Sequence, residues 1–205
     1  AAPLKTPAPD AERYMEQGMT SFSIGSYREA LKSYQEAIRV KPSYADAYLW
    51  VGAAHFKLGN YKEALAAYKE SLRLKPGSAD AHLGIGLTFY RLGDRGAALK
   101  ECETLKKLDP VASGKLLQLI RARDSKEAAK MAEQAQAYLS KNSYLKAYDF
   151  YKDALRLKPD DVDLHIRLGT LYYRLGDKDS AMEEYETLRK LDRSAAEGFK
   201  KMMEE

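Results

Sequence analysis

One amphipathic segment recurs along this chain every 34 residues, apart from a single interruption of fifteen. Its clearest copy is Asn60–Pro76, NYKEALAAYKESLRLKP, and variants stand at Ser26–Pro42, Asp94–Pro110, Ser143–Pro159 and Asp177–Arg193. Wound as a helix, the copy puts Tyr61, Ala64, Leu65, Tyr68, Leu72 and Leu74 on one stripe, the spacing of a helix with one buried face. A unit this short cannot bury its apolar face alone, so a repeated one must stack on its neighbours.

The units run over 11–44, 45–78, 79–112, 128–161 and 162–195, and each divides into two helical segments. Small residues stand near the middle of the first segment, at Gly18, Gly52, Gly86, Ala135 and Gly169. Others stand early in the second, at Ala30, Ala64, Ala98, Ala147 and Ala181. Small side chains let two antiparallel helices approach closely, and Tyr34, Tyr68, Tyr151 and Tyr185 fill the space towards the next unit. Cys102 takes the tyrosine position in unit three and reads as a small apolar filler. The connections are Gly25-Ser26, Gly59-Asn60, Gly93-Asp94, Asn142-Ser143 and Gly176-Asp177. Gly suits a left-handed helix end and Asn is its best substitute, while the Ser, Asn or Asp that follows is a good N-cap. Pro42, Pro76, Pro110 and Pro159 close the second segments, and Arg193 breaks that rule.

These positions resemble the tetratricopeptide repeat family, whose 34-residue helix–turn–helix pattern is matched five times over about 170 residues. The resemblance implies an all-α fold, a right-handed superhelix of helix pairs. Its first helices line a concave face that usually holds a peptide or helix of a partner.

Between Ala112 and Ala128 the period breaks at SGKLLQLIRARDSKE. Asp109-Pro110 predicts an extra helix over about 110–123, with Val111, Leu116, Leu117, Leu119 and Ile120 apolar, capping the third unit. Asp124 or Ser125 then predicts the N-cap of a fresh helix running to about Lys141. Residues 61–112 align with 144–195 at an offset of 83 without gaps, with 26 identities in 52 positions. YRLGD occurs in both blocks, as does ETL(K/R)KLD. The expected organisation is therefore a tail at 1–10, three units plus a capping helix at 11–123, and two units plus a C-terminal cap at 124–205. Phe199, Met202 and Met203 form the apolar side of that last cap.

Charged residues number 34 basic and 30 acidic, a net charge of +4, with both signs interleaved. A nucleic-acid surface wants a basic stripe instead. No apolar run approaches the roughly 20 residues that span a bilayer. The lone cysteine leaves the redox compartment open. The opening AAPLKTPAPD reads as a cloning boundary or a mature end after signal cleavage. It points to export, with the cytoplasm as the alternative, and the tail is expected to lie against protein.

His55, His82 and His165 stand without ligand-spaced Cys, His or carboxylate neighbours, so packing and not metal binding is expected of them. No phosphate loop, nucleophile elbow or zinc-protease motif occurs. The expectation is a non-enzyme without cofactor or metal. Subtracting the packing residues from the first helices leaves Met15, Met19 and Phe22 in unit one, and Leu49, Trp50 and Phe56 with Asp46 and Lys57 in unit two. Unit three contributes Leu83, Leu87, Tyr90 and Arg91 with Asp80. Units four and five present the more polar set Glu133, Gln136, Leu139, Ile166, Arg167, Thr170, Tyr173 and Arg174. An apolar stripe of this length is a candidate docking surface, and the two arginines suit a carboxylate. Members of the family that dock chaperone tails use a clamp of Lys, Asn and Arg; the matching positions are Met15, Met19, Trp50, Asp80 and Gly84, so the clamp is absent. A protein partner, or self-association through the same groove, is the expected use.

Overall fold

A computed structural model describes residues 10–204. The expected seating of the tail against protein lies outside the described residues, save for Asp10, whose Oδ1 accepts from the Glu12 backbone N–H at 3.2 Å. The order is α1 (Ala11–Ser23), α2 (Tyr27–Val40), α3 (Ala45–Lys57), α4 (Tyr61–Leu74), α5 (Ala79–Leu92), α6 (Arg95–Leu108), α7 (Pro110–Leu139), α8 (Tyr144–Leu157), α9 (Val162–Arg174), α10 (Lys178–Leu191) and α11 (Arg193–Glu204). The described residues contain helices and turns and no strand. None of the helices is long and apolar enough to cross a membrane. The chain divides into two compact units, Ala1–Ile120 and Arg121–Glu205.

Helix ends follow the turn chemistry. Gly25, Gly59, Gly93 and Gly176 have φ near +80°, and Asn142, at φ +55°, is the one non-glycine residue in that region among those described. The capping expectation is met at Asp94 and Asp177, which accept from Ala97 N at 2.9 Å and Ser180 N at 3.1 Å. At Ser26, Asn60 and Ser143 the position is right but the side chain makes no cap bond. Asn60 turns its amide to His55 Nδ1 instead, at 3.4 Å.

In the first compact unit (unit one from here on, the second being unit two), successive pairs α1/α2, α3/α4 and α5/α6 pack in chain order, with α2 against α3 and α4 against α5. Tyr34 and Tyr68 lie between the pairs at 0% and 5% exposure. Burying one such side chain stabilises by roughly 2 kcal/mol. Tyr68 shows how the small residues work: a Cβ on Gly52 would stand 2.6 Å from its Cδ1, and one on Gly84 2.5 Å from its Cζ. The ring is gripped from α3 and α5 at once. Unit two repeats the scheme around Tyr151 and Tyr185, and α11 closes it with Phe199 against Gly169.

The break at 113–127 differs from expectation. Helix α7 is continuous from Pro110 to Leu139, with no cap at Asp124 or Ser125. Asp109 does cap its start, accepting from the Val111 and Ala112 N–H groups at 3.0 Å each. Residues 115–139 contain no Gly or Pro, so nothing in the backbone interrupts the helix, and Asp124 is buried within it with a partner of its own. Leu116 and Ile120 seal the third pair at 0% and 2% exposure, while Val111 and Leu119 face outward.

Candidate functional site

Helical periodicity places Glu12, Met15, Met19 and Phe22 on one face of α1. It does the same for Asp46, Leu49, Ala53 and Phe56 on α3, and for Asp80, Leu83, Leu87 and Tyr90 on α5. Phe22 meets Trp50 edge-on with ring centroids 5.2 Å apart, and Trp50 stacks on Tyr34 at 6.1 Å and 28°. Such pairs contribute about 1 kcal/mol beyond their buried area. Phe56 meets Tyr61 at 5.7 Å, and Arg91 Nε donates to the Tyr61 hydroxyl at 3.0 Å. Tyr61 does more than pack: its hydroxyl is a second-helix contribution that helical spacing within α5 does not disclose.

The candidates separate into three groups. Met15, at 5% exposure, is core and not surface, because it packs with Ala30, Tyr34 and Ala37. Leu49 and Phe56 are half-buried on the cluster of Ala64, Tyr68 and Ile85, and Leu83, Leu87 and Tyr90 on that of Ala98, Cys102 and Leu116. Met19 is 47% exposed, Phe22 and Trp50 are half-buried, and Arg91 is exposed. The accessible apolar part of the stripe therefore centres on Met19, Phe22 and Trp50.

In unit two, Arg167 Nε donates to Asp163 Oδ2 at 2.6 Å and its Nη1 to Gln136 Oε1 at 3.5 Å. The Tyr151 hydroxyl donates to the same Gln136 oxygen at 3.2 Å. The Tyr173 hydroxyl donates to the Met203 carbonyl at 2.7 Å and ties α9 to α11, while Arg174 is exposed. Arg167 is thus already engaged with an acid of its own chain, which weakens the sequence expectation that it awaits a carboxylate.

Tyr34 is treated differently from Tyr151. Its hydroxyl is the one buried side-chain polar atom among the described residues without a hydrogen-bond partner, and burial pushes its pKa up to about 12. The position fifteen residues earlier holds Gln136 before Tyr151 but Met19 before Tyr34. Met19→Gln should therefore supply the acceptor and stabilise the chain by about 1 kcal/mol, read as a higher urea midpoint. An unchanged or lower midpoint would show that the amide cannot reach.

Two histidines carry a signal that the sequence spacing concealed. His82 Nδ1 lies 2.8 Å from Glu101 Oε2, and His165 Nδ1 lies 2.5 Å from Glu184 Oε2, in each case nineteen residues on. His165 Nε2 also lies 2.8 Å from the Pro159 carbonyl oxygen. Both its nitrogens face oxygen atoms, an arrangement that favours the ring form carrying both N–H groups. The Glu184 hydrogen bond, helped by the Pro159 carbonyl and opposed by burial, raises its pKa above the usual 6.5. A folded-state pKa above the unfolded one gives stability that is complete below the unfolded value and lost as pH rises through the folded value. His165→Gln should then cost about 2 kcal/mol at pH 6 and clearly less at pH 9, by urea denaturation. An equal loss at both pH values would refute the charged pair. Burial likewise pushes the Cys102 thiol up, with Glu103 and Glu101 adding to it. Among the described residues no group of three or more His, Cys, Asp or Glu is placed to hold a metal ion.

Models of the tetratricopeptide repeat match residues 15–79 and 54–113, and another matches 138–201. No curated protein sequence matches the chain. Among solved structures, the first such domain of Spaghetti (RPAP3) bound to the HSP90 peptide SRMEEVD is similar at 22% identity and a TM-score of 0.52, covering 55% of this chain and 92% of that one. The TPR2B domain of yeast Sti1 in complex with pHsp70 is similar at 23% identity and a TM-score of 0.51, covering 53% and 91%. MamA residues 41 to the end from Desulfovibrio magneticus RS-1 covers 90% of this chain and 96% of its own, at 22% identity and a TM-score of 0.47.

Proposed function

This chain belongs to the tetratricopeptide repeat family, and from that premise we propose that it is a protein-interaction scaffold whose first-helix groove in unit one takes a peptide or helical segment of a partner. The observation that carries the reading is the aromatic pair Phe22 and Trp50, half-buried over the fully buried Tyr34 and beside exposed Met19. Rigid aromatics anchor interfaces and methionine adapts to the shape it meets. Of the similar structures, one is bound to the HSP90 peptide SRMEEVD and another is in complex with pHsp70. The groove here differs in charge from one built for an acidic tail, since Glu12, Asp46 and Asp80 stand at the starts of α1, α3 and α5. The groove of unit two, with Arg167, Tyr173 and Arg174, is the more polar candidate surface.

Trp50→Ala should weaken partner binding by about 2 kcal/mol or more, near thirtyfold in Kd, measured by calorimetry. Unchanged affinity would remove the groove as the site. Self-association through the same face is the competing use. Light scattering on the full chain and on one lacking residues 1–10 separates the two, because a monomer in both cases leaves only the partner.

A further inference from the structure

The two halves of the internal duplication carry opposite versions of one surface. In unit one a cleft of about 560 Å³ opens between α6 and α7, lined by Leu99 and Cys102 from α6 and by Gly114 and Leu117 from α7. Cys102, 4% exposed, lies at its floor, where the Ser113 hydroxyl donates to the Cys102 carbonyl at 2.8 Å and ties the two helices together. A Cβ on Gly114 would meet nothing within 4 Å, so the α7 wall is open there. Lys100 and Lys106 also line the cleft, with Glu103 between them along α6. All three are exposed, and none is in an ion pair among the described residues.

The matched positions 83 residues later, in unit two, hold Met182 for Leu99, Glu183 for Lys100, Tyr185 for Cys102, Glu197 for Gly114 and Lys200 for Leu117. Tyr185 packs with Phe199 at the place that Cys102 takes in unit one. Met182 is left 46% exposed on α10. Asp179 stands one turn before it and Glu183 beside it, both exposed and in no ion pair among the described residues. Lys100 and Glu183 thus reverse the charge at one duplicated position. Unit one has an apolar cleft under lysines; unit two has an uncovered methionine among carboxylates.

We propose that the α6/α7 cleft of one copy of this chain receives Met182 of a second copy, with Asp179 and Glu183 of that copy meeting Lys100 and Lys106. Two different surfaces join, so the contact is head-to-tail. The unbranched thioether side chain adapts to the shape between Leu99 and Leu117, where Gly114 leaves room. Glu103 in the cleft and Lys178 one turn before Met182 are the like-signed exceptions, and they leave a net +1 facing a net −1. Exposed charge pairs of this kind add little affinity but decide which surfaces meet. The association is therefore weak and loosened by salt. It uses α6, α7 and α10 and does not rest on the groove around Trp50.

The test is sedimentation velocity of the full-length chain from about 5 to 200 µM, where a Kd of tens of micromolar is read directly. The parent should form dimers or larger species at the upper end. The double variants Lys100→Glu/Lys106→Glu and Asp179→Lys/Glu183→Lys should each stay monomeric. Their equimolar mixture should associate again, because each supplies the sign that the other has lost. Gly114→Phe fills the cleft from an open helix surface, where phenylalanine is the better helix former; it should keep the parent's ellipticity and stay monomeric. A monomeric parent, reversal variants that associate as the parent does, or a mixture that stays monomeric would each overturn the proposal. Association lost in Trp50→Ala and kept in the reversal variants would place self-association in the groove and overturn the cleft.

Discussion

Gly52→Ala is expected to destabilise unit one by about 2–3 kcal/mol, although alanine is the better helix former by about 1 kcal/mol. The added Cβ would stand 2.6, 2.7 and 2.9 Å from Cδ1, Cε1 and Cγ of Tyr68. That ring cannot retreat, because its other edge is 2.5–2.9 Å from where a Cβ on Gly84 would stand. It is also buried at 5% exposure against Ala64 and Ile85. The loss is read from urea denaturation followed by the fluorescence of Trp50, the one tryptophan of the chain. Tyr68→Leu in the Gly52→Ala background should recover part of it, since a smaller, flexible side chain leaves the gap the methyl needs. Stability equal to or above the parent for Gly52→Ala alone would show that the ring has room to move.

Phe199→Ala is expected to cost about 3–4 kcal/mol, within the usual range for a buried phenylalanine. Phe199 is 3% exposed, packs with Ala181, Tyr185, Leu188 and Ala196, and its ring end fills the hollow at Gly169. A 12-residue helix such as α11 is marginal alone in water, so its docking depends on this ring and on the Tyr173–Met203 hydrogen bond. Loss of the anchor should fray α11 and expose Tyr185 and Leu188, seen as lower helical ellipticity and a lower urea midpoint. Gly198→Ala, one residue away in open space, should instead gain about 1 kcal/mol. If both variants behaved alike, the effect would belong to helix propensity and not to the anchor.

The five-fold recurrence was legible because packing grammar is local. Tyr34, Tyr68, Tyr151 and Tyr185 announce themselves by spacing, and their burial follows from it. Asn142 announces its left-handed backbone for the same reason, since only Gly and Asn tolerate that conformation cheaply. The continuity of α7 was not legible. Asp124 and Ser125 have the side chains of an N-cap, but a cap signal acts only where the preceding residues leave the helix, and nothing between 115 and 139 makes them do so. Met15 was misplaced because position on a helical stripe sets direction and not depth. The close pair α1/α2 draws it under the surface that Met19, one turn later, still reaches.

The histidine pairs mark the same division. Their identity and duplication are in the sequence, but the carboxylates nineteen residues away meet them only when the second helix folds back on the first. Periodicity, small-residue spacing and turn chemistry by themselves determined that this chain makes helix pairs of 34 residues, where the pairs turn, and which rings fill the seams. Those depend on contacts within one or two turns of helix. The tertiary structure decided which apolar residues stay reachable around Trp50, which tyrosine hydroxyls find a partner and which acids remain unpaired. Each of these depends on distances between helices, which are set by the summed size of side chains on both and not by the pattern along either.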